Sequence, residues 1–199
     1  MIYNLATKIA TGLSVRNYID CEETEIVSYG LFSVISKIMY GAICLLLGVF
    51  FGCLPESVFF YLSFLFIKKY AGGFHAETEI RCFFLSSLSI IVSVLGIYFS
   101  KLFDPLKVMF LCLAATACFI IAVHAPTPSK ERPLDDTECK RYKNISKIRV
   151  VILIIVSFVT YILSYESLCI SISMAIILEG ILLVAGKIKS KKFAVDSHA

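Results

Sequence analysis

From Leu31 onward the chain alternates long apolar runs with short polar breaks. The runs are Leu31 to Cys53, Val58 to Ile67, Cys82 to Ser100, Lys107 to His124, Ile148 to Tyr165 and Leu168 to Ala185. A soluble domain of 199 residues has too little interior to hide so much apolar surface. With 58% hydrophobic and 17% charged residues, the pattern predicts a polytopic integral membrane protein made of helices. The expected fold is all-α, one membrane-embedded domain over residues 1–199, with six transmembrane helices. The second run is short: Pro55 to Lys68 only just allows a tilted crossing, which normally needs about 20 residues. A re-entrant segment is the alternative for it.

Residues 1–28 precede the first crossing. Ile2, Leu5, Ile9 and Leu13 recur at helical spacing, with Lys8 and Arg16 off the stripe. This predicts an amphipathic helix, lying either on the membrane or on the protein's own cytoplasmic face. Glu22, Glu23 and Glu25 follow without a compact apolar core, so no cleavable signal peptide is expected. Six crossings place residues 1–28, 68–81, 125–149 and the tail on one side. That side holds 16 of the 19 Lys and Arg residues, which predicts that both termini and those loops are cytoplasmic. The tail bases, Lys187 to Lys192, fit contact with anionic membrane lipid. The net charge of +4 then follows from topology and calls for no nucleic-acid partner.

Eight cysteines are scattered through apolar runs and cytoplasmic segments, and no CxxC pair occurs. Neither a disulfide framework nor a zinc site is expected. With three histidines and no HExxH, a metalloprotease is disfavoured and no metal or other cofactor is implied.

The polar stretch KKYAGGFHAETEIRC, Lys68 to Cys82, is where chemistry concentrates. An imidazole at His75 and a thiol at Cys82, between two apolar runs, suggest a membrane-surface nucleophile with its base. An unbroken helix would separate the two by roughly 10 Å along its axis, so the chain must bend between them. Gly72 and Gly73 supply freedom just ahead of His75. A helix starting at Cys82 puts the positive end of its dipole at the thiol and offers backbone donors near residues 82–84 to an oxyanion. Lys68, Lys69 and Arg81 add positive potential. Glu77 and Glu79 are either orienters of His75 or solvated loop acids. Glu179 lies inside the sixth run, where an acid is costly, and Lys37 or serines across the bundle are its candidate partners. The simplest structural reading of His75 and Cys82 is interface polarity and packing, and spacing alone does not exclude it.

The run Lys69-Tyr70-Ala71-Gly72-Gly73-Phe74-His75-Ala76, followed by Cys82, resembles the accessory gene regulator B family, membrane peptidases of Gram-positive quorum sensing. The segment around Pro126, Pro128 and Pro133-Leu134 is also similar, and the likeness extends over nearly the whole chain. Lys68 stands where family members often carry arginine, which keeps charge but not a bidentate clamp. The resemblance implies a cysteine endopeptidase in the cell membrane. It acts on a short AgrD-like precursor peptide, with Cys82 as nucleophile and His75 as acid and base, forms a thioester and promotes thiolactone or lactone closure. Whether the enzyme is a homodimer is left open. A small peptide transporter or exporter, gated by the 68–81 loop, and a non-catalytic scaffold that recruits through 125–147 are the rival functions.

Overall fold

The computed structural model describes residues 2–74, 78–127 and 135–196, with the side chains of Ile2, Glu79, Asp136 and 190–196 excepted. The described residues form seven α-helices: α1 Ile2–Val15, α2 Thr24–Phe50, α3 Leu54–Ala71, α4 Glu79–Leu102, α5 Asp104–His124, α6 Asp136–Ile162 and α7 Glu166–Asp196. A short 3₁₀ turn, Cys21–Glu23, leads into α2. Five helices, α2 and α4 to α7, are long and apolar enough to cross a membrane. The protein is therefore a polytopic all-α membrane protein. Large apolar side chains such as Leu46, Phe50, Phe119 and Phe158 point outward, as lipid-facing positions do.

The bundle is built around α3 and α7. Buried residues of α7 make up 67% of its membrane-length window, against 17–22% for the other four spans. On one side, Cys44 of α2, Phe60 and Phe64 of α3, and Ile90, Val94 and Ile97 of α4 pack with Ile170, Met174 and Leu178 of α7. On the other, Ile67 and Ala71 of α3, Ala117 and Ile121 of α5, and Val150 and Leu153 of α6 pack with Ile172, Ile176 and Leu183. Small residues let α7 approach its neighbours, since without a hydrophobic drive between helices in lipid, close packing must hold them. A Cβ on Gly180 would lie 2.9 Å from Ala117 Cβ, so α5 and α7 touch almost backbone to backbone there.

α3 differs from the short run expected at Val58 to Ile67. Pro55 sits in its first turn, where a missing N–H costs nothing, and the helix extends to Ala71. Its 18 residues span about 27 Å, close to the roughly 30 Å of a hydrocarbon core. It carries Glu56, Lys68 and Lys69, which keeps it outside the five apolar spans, and it buries Glu56, Ser57 and Ser63 against its neighbours. A helix this polar is tolerated inside a bundle because protein rather than lipid surrounds it.

Three further boundaries depart from the sequence reading. The 125–147 segment is not a loop throughout, because α6 begins at Asp136. All its prolines lie upstream of that point, and the residues after them contain neither proline nor glycine. The basic tail is also helical, as α7 continues through Asp196. In α1, the packed face is not the 5, 9, 13 stripe. Ala6 and Ala10 are fully buried, while Leu5 and Ile9 are 52% and 41% exposed. Thr7 and Ser28 hydroxyls meet at 3.1 Å, and Tyr3 stacks edge-on to Phe32 of α2. Small side chains thus dock α1 on α2 and leave the larger apolar ones facing away.

Charge is distributed unevenly between the bundle ends. At the end formed by the α2–α3, α4–α5 and α6–α7 turns, Lys101 pairs with Glu56 at 2.5 Å. Lys107 there pairs with Asp104 at 2.8 Å and Glu166 at 2.9 Å. Among the described residues, Lys68, Lys69, Arg81, Arg149, Lys187 and Lys189 lie at the other end, around the end of α3, the start of α4 and the α7 extension.

Candidate active-site region

The site is built on the end of α3. Its last turn buries Ile67 and Ala71 and leaves Lys68 half-buried and Lys69 exposed. The helix stops because Gly72 and Gly73 follow with φ of +80° and +138°, conformations that side chains rarely adopt. Sterics demand glycine here as well. A Cβ on Gly72 would come within 2.6 Å of the Thr127 carbonyl oxygen. Thr127 N–H in turn donates to Ala71 O at 3.1 Å, so the segment after α5 lies alongside the turn as a one-residue bridge. From the opposite side α7 contributes Gly186, whose Cβ would lie 3.0–3.2 Å from the backbone of Gly73 and Phe74. The turn that leads to His75 is thus gripped between α7 and Ala125–Thr127, backbone against backbone.

Cys82 lies on the first turns of α4. Thr78 caps that helix, its hydroxyl accepting from Arg81 N–H at 3.4 Å. The helix begins at Glu79, three residues earlier than Cys82. This corrects the expectation that amides of residues 82–84 serve an oxyanion. Cys82 N–H already donates to Thr78 O at 3.0 Å, and residues 83 and 84 are interior to the helix. Helix geometry leaves donors without an intrahelical partner only in the turn before Cys82. The thiol is free and half-buried. The next residue, Phe83, stacks on the ring of Tyr40 of α2 with centroids 6.1 Å apart.

α3 ends at Ala71 and α4 starts at Glu79. His75 and Glu77 fall outside the described residues, as does the side chain of Glu79. Arg81 is exposed, and Lys69 lies over the Tyr70 ring at 5.4 Å. Glu179 is fully buried, but not beside Lys37, which is exposed on α2. Its neighbourhood is Lys68 and Gly73: Lys68 Nζ and Glu179 Oε1 lie 3.4 and 3.9 Å from the position a Cβ would take on Gly73. Lys68, Gly72, Gly73 and Glu179 are therefore brought together, while Lys69 and Arg81 point to the surface.

Several residues important here carried no signal of their own in the sequence. Arg149 was one more base in a positive loop. It stacks its guanidinium between the rings of Phe66, at 4.4 Å, and Tyr70, at 4.2 Å, and donates to the Phe66 carbonyl. Tyr70 is buttressed by an edge-on contact with Tyr142. This aromatic clamp ties α6 to the end of α3. Lys189 lies 5.4 Å over the Phe74 ring. His124 sits 3.0 Å from Lys187 Nζ through Nδ1, so its described contact is with the α7 extension. Gly186 and Thr127 are recognisable only in three dimensions, because their role is close approach across distant sequence.

The fold and this glycine-lined turn define a polytopic membrane protein with a basic end, where a half-buried thiol and a buried carboxyl flank the α3–α4 connection. The sequence model of the family described as AgrB, accessory gene regulator B, matches residues 4–183, and the chain belongs to that family. It is 28% identical over 175 residues to a putative AgrB-like protein 2 of Clostridium perfringens, covering 84% of this chain and 80% of that one. It is 24% identical over 158 residues to the accessory gene regulator protein B of Staphylococcus aureus, covering 79% and 83%. Protein FsrB of Enterococcus faecalis is 26% identical over 152 residues, covering 72% and 61%. No solved structure matches the chain.

Proposed function

We propose that this protein is a membrane cysteine endopeptidase that cleaves an AgrD-like precursor peptide and closes the released signal into a ring. Family membership across residues 4–183 supports a role in quorum-sensing peptide processing, and it is the observation that carries the proposal. The residue roles are those the family resemblance implies for His75 and Cys82. His75 takes the proton of the Cys82 thiol, and the sulfur attacks the carbonyl at the C-terminal end of the future signal. The peptide C–N bond breaks, and His75 passes its proton to the departing amine. The signal remains as a thioester on Cys82. An internal cysteine or serine of the peptide then attacks that thioester, forms the ring, and returns the proton and the thiol to the enzyme. A water-poor site at the end of a bundle favours ring closure over hydrolysis if the internal nucleophile is held close. In the cell membrane, six crossings with both termini and the 68–81 segment cytoplasmic would bring Cys82 to the face where a newly made peptide arrives.

The test is co-production with a candidate precursor, followed by mass measurement of peptide and protein. A precursor whose internal cysteine is changed to alanine should leave a covalent adduct on Cys82 or a linear product, and no ring. Cys82→Ala should abolish cleavage and cyclisation together, and Cys82→Ser should lose nearly as much. His75→Ala should slow both by roughly 10²–10⁴-fold. Release of the C-terminal fragment by Cys82→Ala at the unmodified rate would end the cysteine-peptidase reading.

A further inference from the structure

α7 presents one face to the glycine turn. Glu179, Leu182 and Gly186 stand at i, i+3 and i+7, on one side of a helix. All three lie against Gly73: Glu179 Oε1 at 3.9 Å and Leu182 Cβ at 3.5 Å from its Cβ position, and Gly186 against its carbonyl. Glu179 is wholly buried, yet among the described residues neither of its carboxyl oxygens has a hydrogen-bond partner. An acid in that position is expensive unless a charge answers it. The answering charge is Lys68, on the last turn of α3, whose Nζ lies 3.4 Å from the same Gly73 position and 5.1 Å over the Phe64 ring. Arg149, a cation at the same end of α3, is committed to Phe66 and Tyr70. Gly73 therefore occupies the gap between an ammonium and a carboxyl, and any side chain there would fill that gap. We propose that Glu179 is a positioning residue: through Lys68, across Gly73, it fixes the turn from which the His75 segment departs. It touches neither substrate nor the reacting atoms. The opposite charges draw α3 and α7 together over the glycine, and the turn keeps one geometry while the peptide is being cut.

This inference rests on the peptidase reading only for its catalytic consequence, so the experiment has two arms. The first needs no activity. Hydrogen exchange of the full-length protein in detergent is followed in Glu179→Gln and Lys68→Met. Protection at residues 72–74 should fall at least about tenfold in each, with α5 and α6 protected as before. The exchange double variant Lys68→Glu/Glu179→Lys should restore most of that protection. The second arm measures acylation of Cys82 by the precursor lacking its internal cysteine. Each single variant should slow acylation roughly 10–100-fold, the scale of a misplaced catalytic group, with precursor KM within about twofold. Glu179→Asp should lie between Gln and the parent. Unchanged exchange at 72–74 in both single variants overturns the proposal, and so does a rise in KM without loss of acylation rate. If α5 and α6 lose protection as well, Glu179 is a general structural residue and the proposal also falls. If the unmodified protein forms no adduct while the first arm behaves as expected, the peptidase reading fails and the positioning role stands.

Discussion

Replacing Gly72 by alanine tests whether the turn is held by close approach. In the structure its φ is +80° and a Cβ would stand 2.6 Å from the Thr127 carbonyl oxygen. The obstructing atom belongs to backbone, so it cannot swing aside as a side-chain tip would. Two terms follow. The backbone conformation costs a non-glycine residue about 1–3 kcal/mol. Moving the Ala125–Thr127 segment breaks the Thr127 N–H to Ala71 O bond, whose net value is about 1 kcal/mol. Together they come to roughly 3 kcal/mol, close to a 100-fold shift in the equilibrium for release of the segment. Because the cost falls on one contact, opening should be local. The Thr127 amide should exchange roughly 100-fold faster while α7 keeps its protection. Gly30→Ala is the matched control, since a Cβ there meets nothing within 4 Å, and a helical glycine replaced by alanine should gain about 1 kcal/mol. A Gly72→Ala protein with unchanged Thr127 exchange and unchanged melting would refute the close-approach argument.

Arg149→Lys should destabilise the α3–α6 junction by about 1–2 kcal/mol, read as a lower melting temperature in detergent, because lysine keeps charge but loses the stacked plane between Phe66 and Tyr70; an unchanged melting temperature would show the clamp to be ornamental. In single-cysteine proteins on intact cells, a membrane-impermeant thiol reagent should label a cysteine placed at Asp104 and spare Cys82; labelling of Cys82 from outside would overturn the orientation inferred from the basic residues.

The membrane class and the five apolar spans could be read along the sequence because a run of apolar residues is a local property. The end of α3 is local in the same way, because the Gly-Gly pair marks where that helix stops. Boundaries were harder. Proline and charge between 125 and 147 masked the start of α6, since a polar helix outside lipid has no hydropathy signal. The start of α4 was misplaced for a related reason. Glu79 to Arg81 look like loop residues, but Thr78 caps them into the helix, and the assignment of oxyanion donors moved with them. The partner of Glu179 was out of reach of the sequence. The sequence offered Lys37 or serines across the bundle; that Lys68 lies nearby instead depends on which face of α7 meets which helix, and that is decided by small residues at Gly180 and Gly186, not by charge.

α3 explains why the least lipid-like helix belongs at the centre. Lys68 and the Gly-Gly turn stand at one end of it, and Glu56 pairs with Lys101 at the other. Such a helix is costly if it faces lipid. Surrounded by α2, α6 and α7, it buries Ser57, Ser63 and Phe60 within the bundle and needs no apolar exterior. The low hydropathy that sets α3 apart from the five apolar spans therefore follows from its location. The same shielding buries Glu179, and the counter-charge proposed for it is the lysine at the end of that helix. If α3 were instead a re-entrant segment open to the headgroups, water would reach Glu179 and screen it from Lys68. Glu179→Gln would then leave exchange at residues 72–74 unchanged, so that measurement bears on the membrane course of α3 as well as on the carboxyl group.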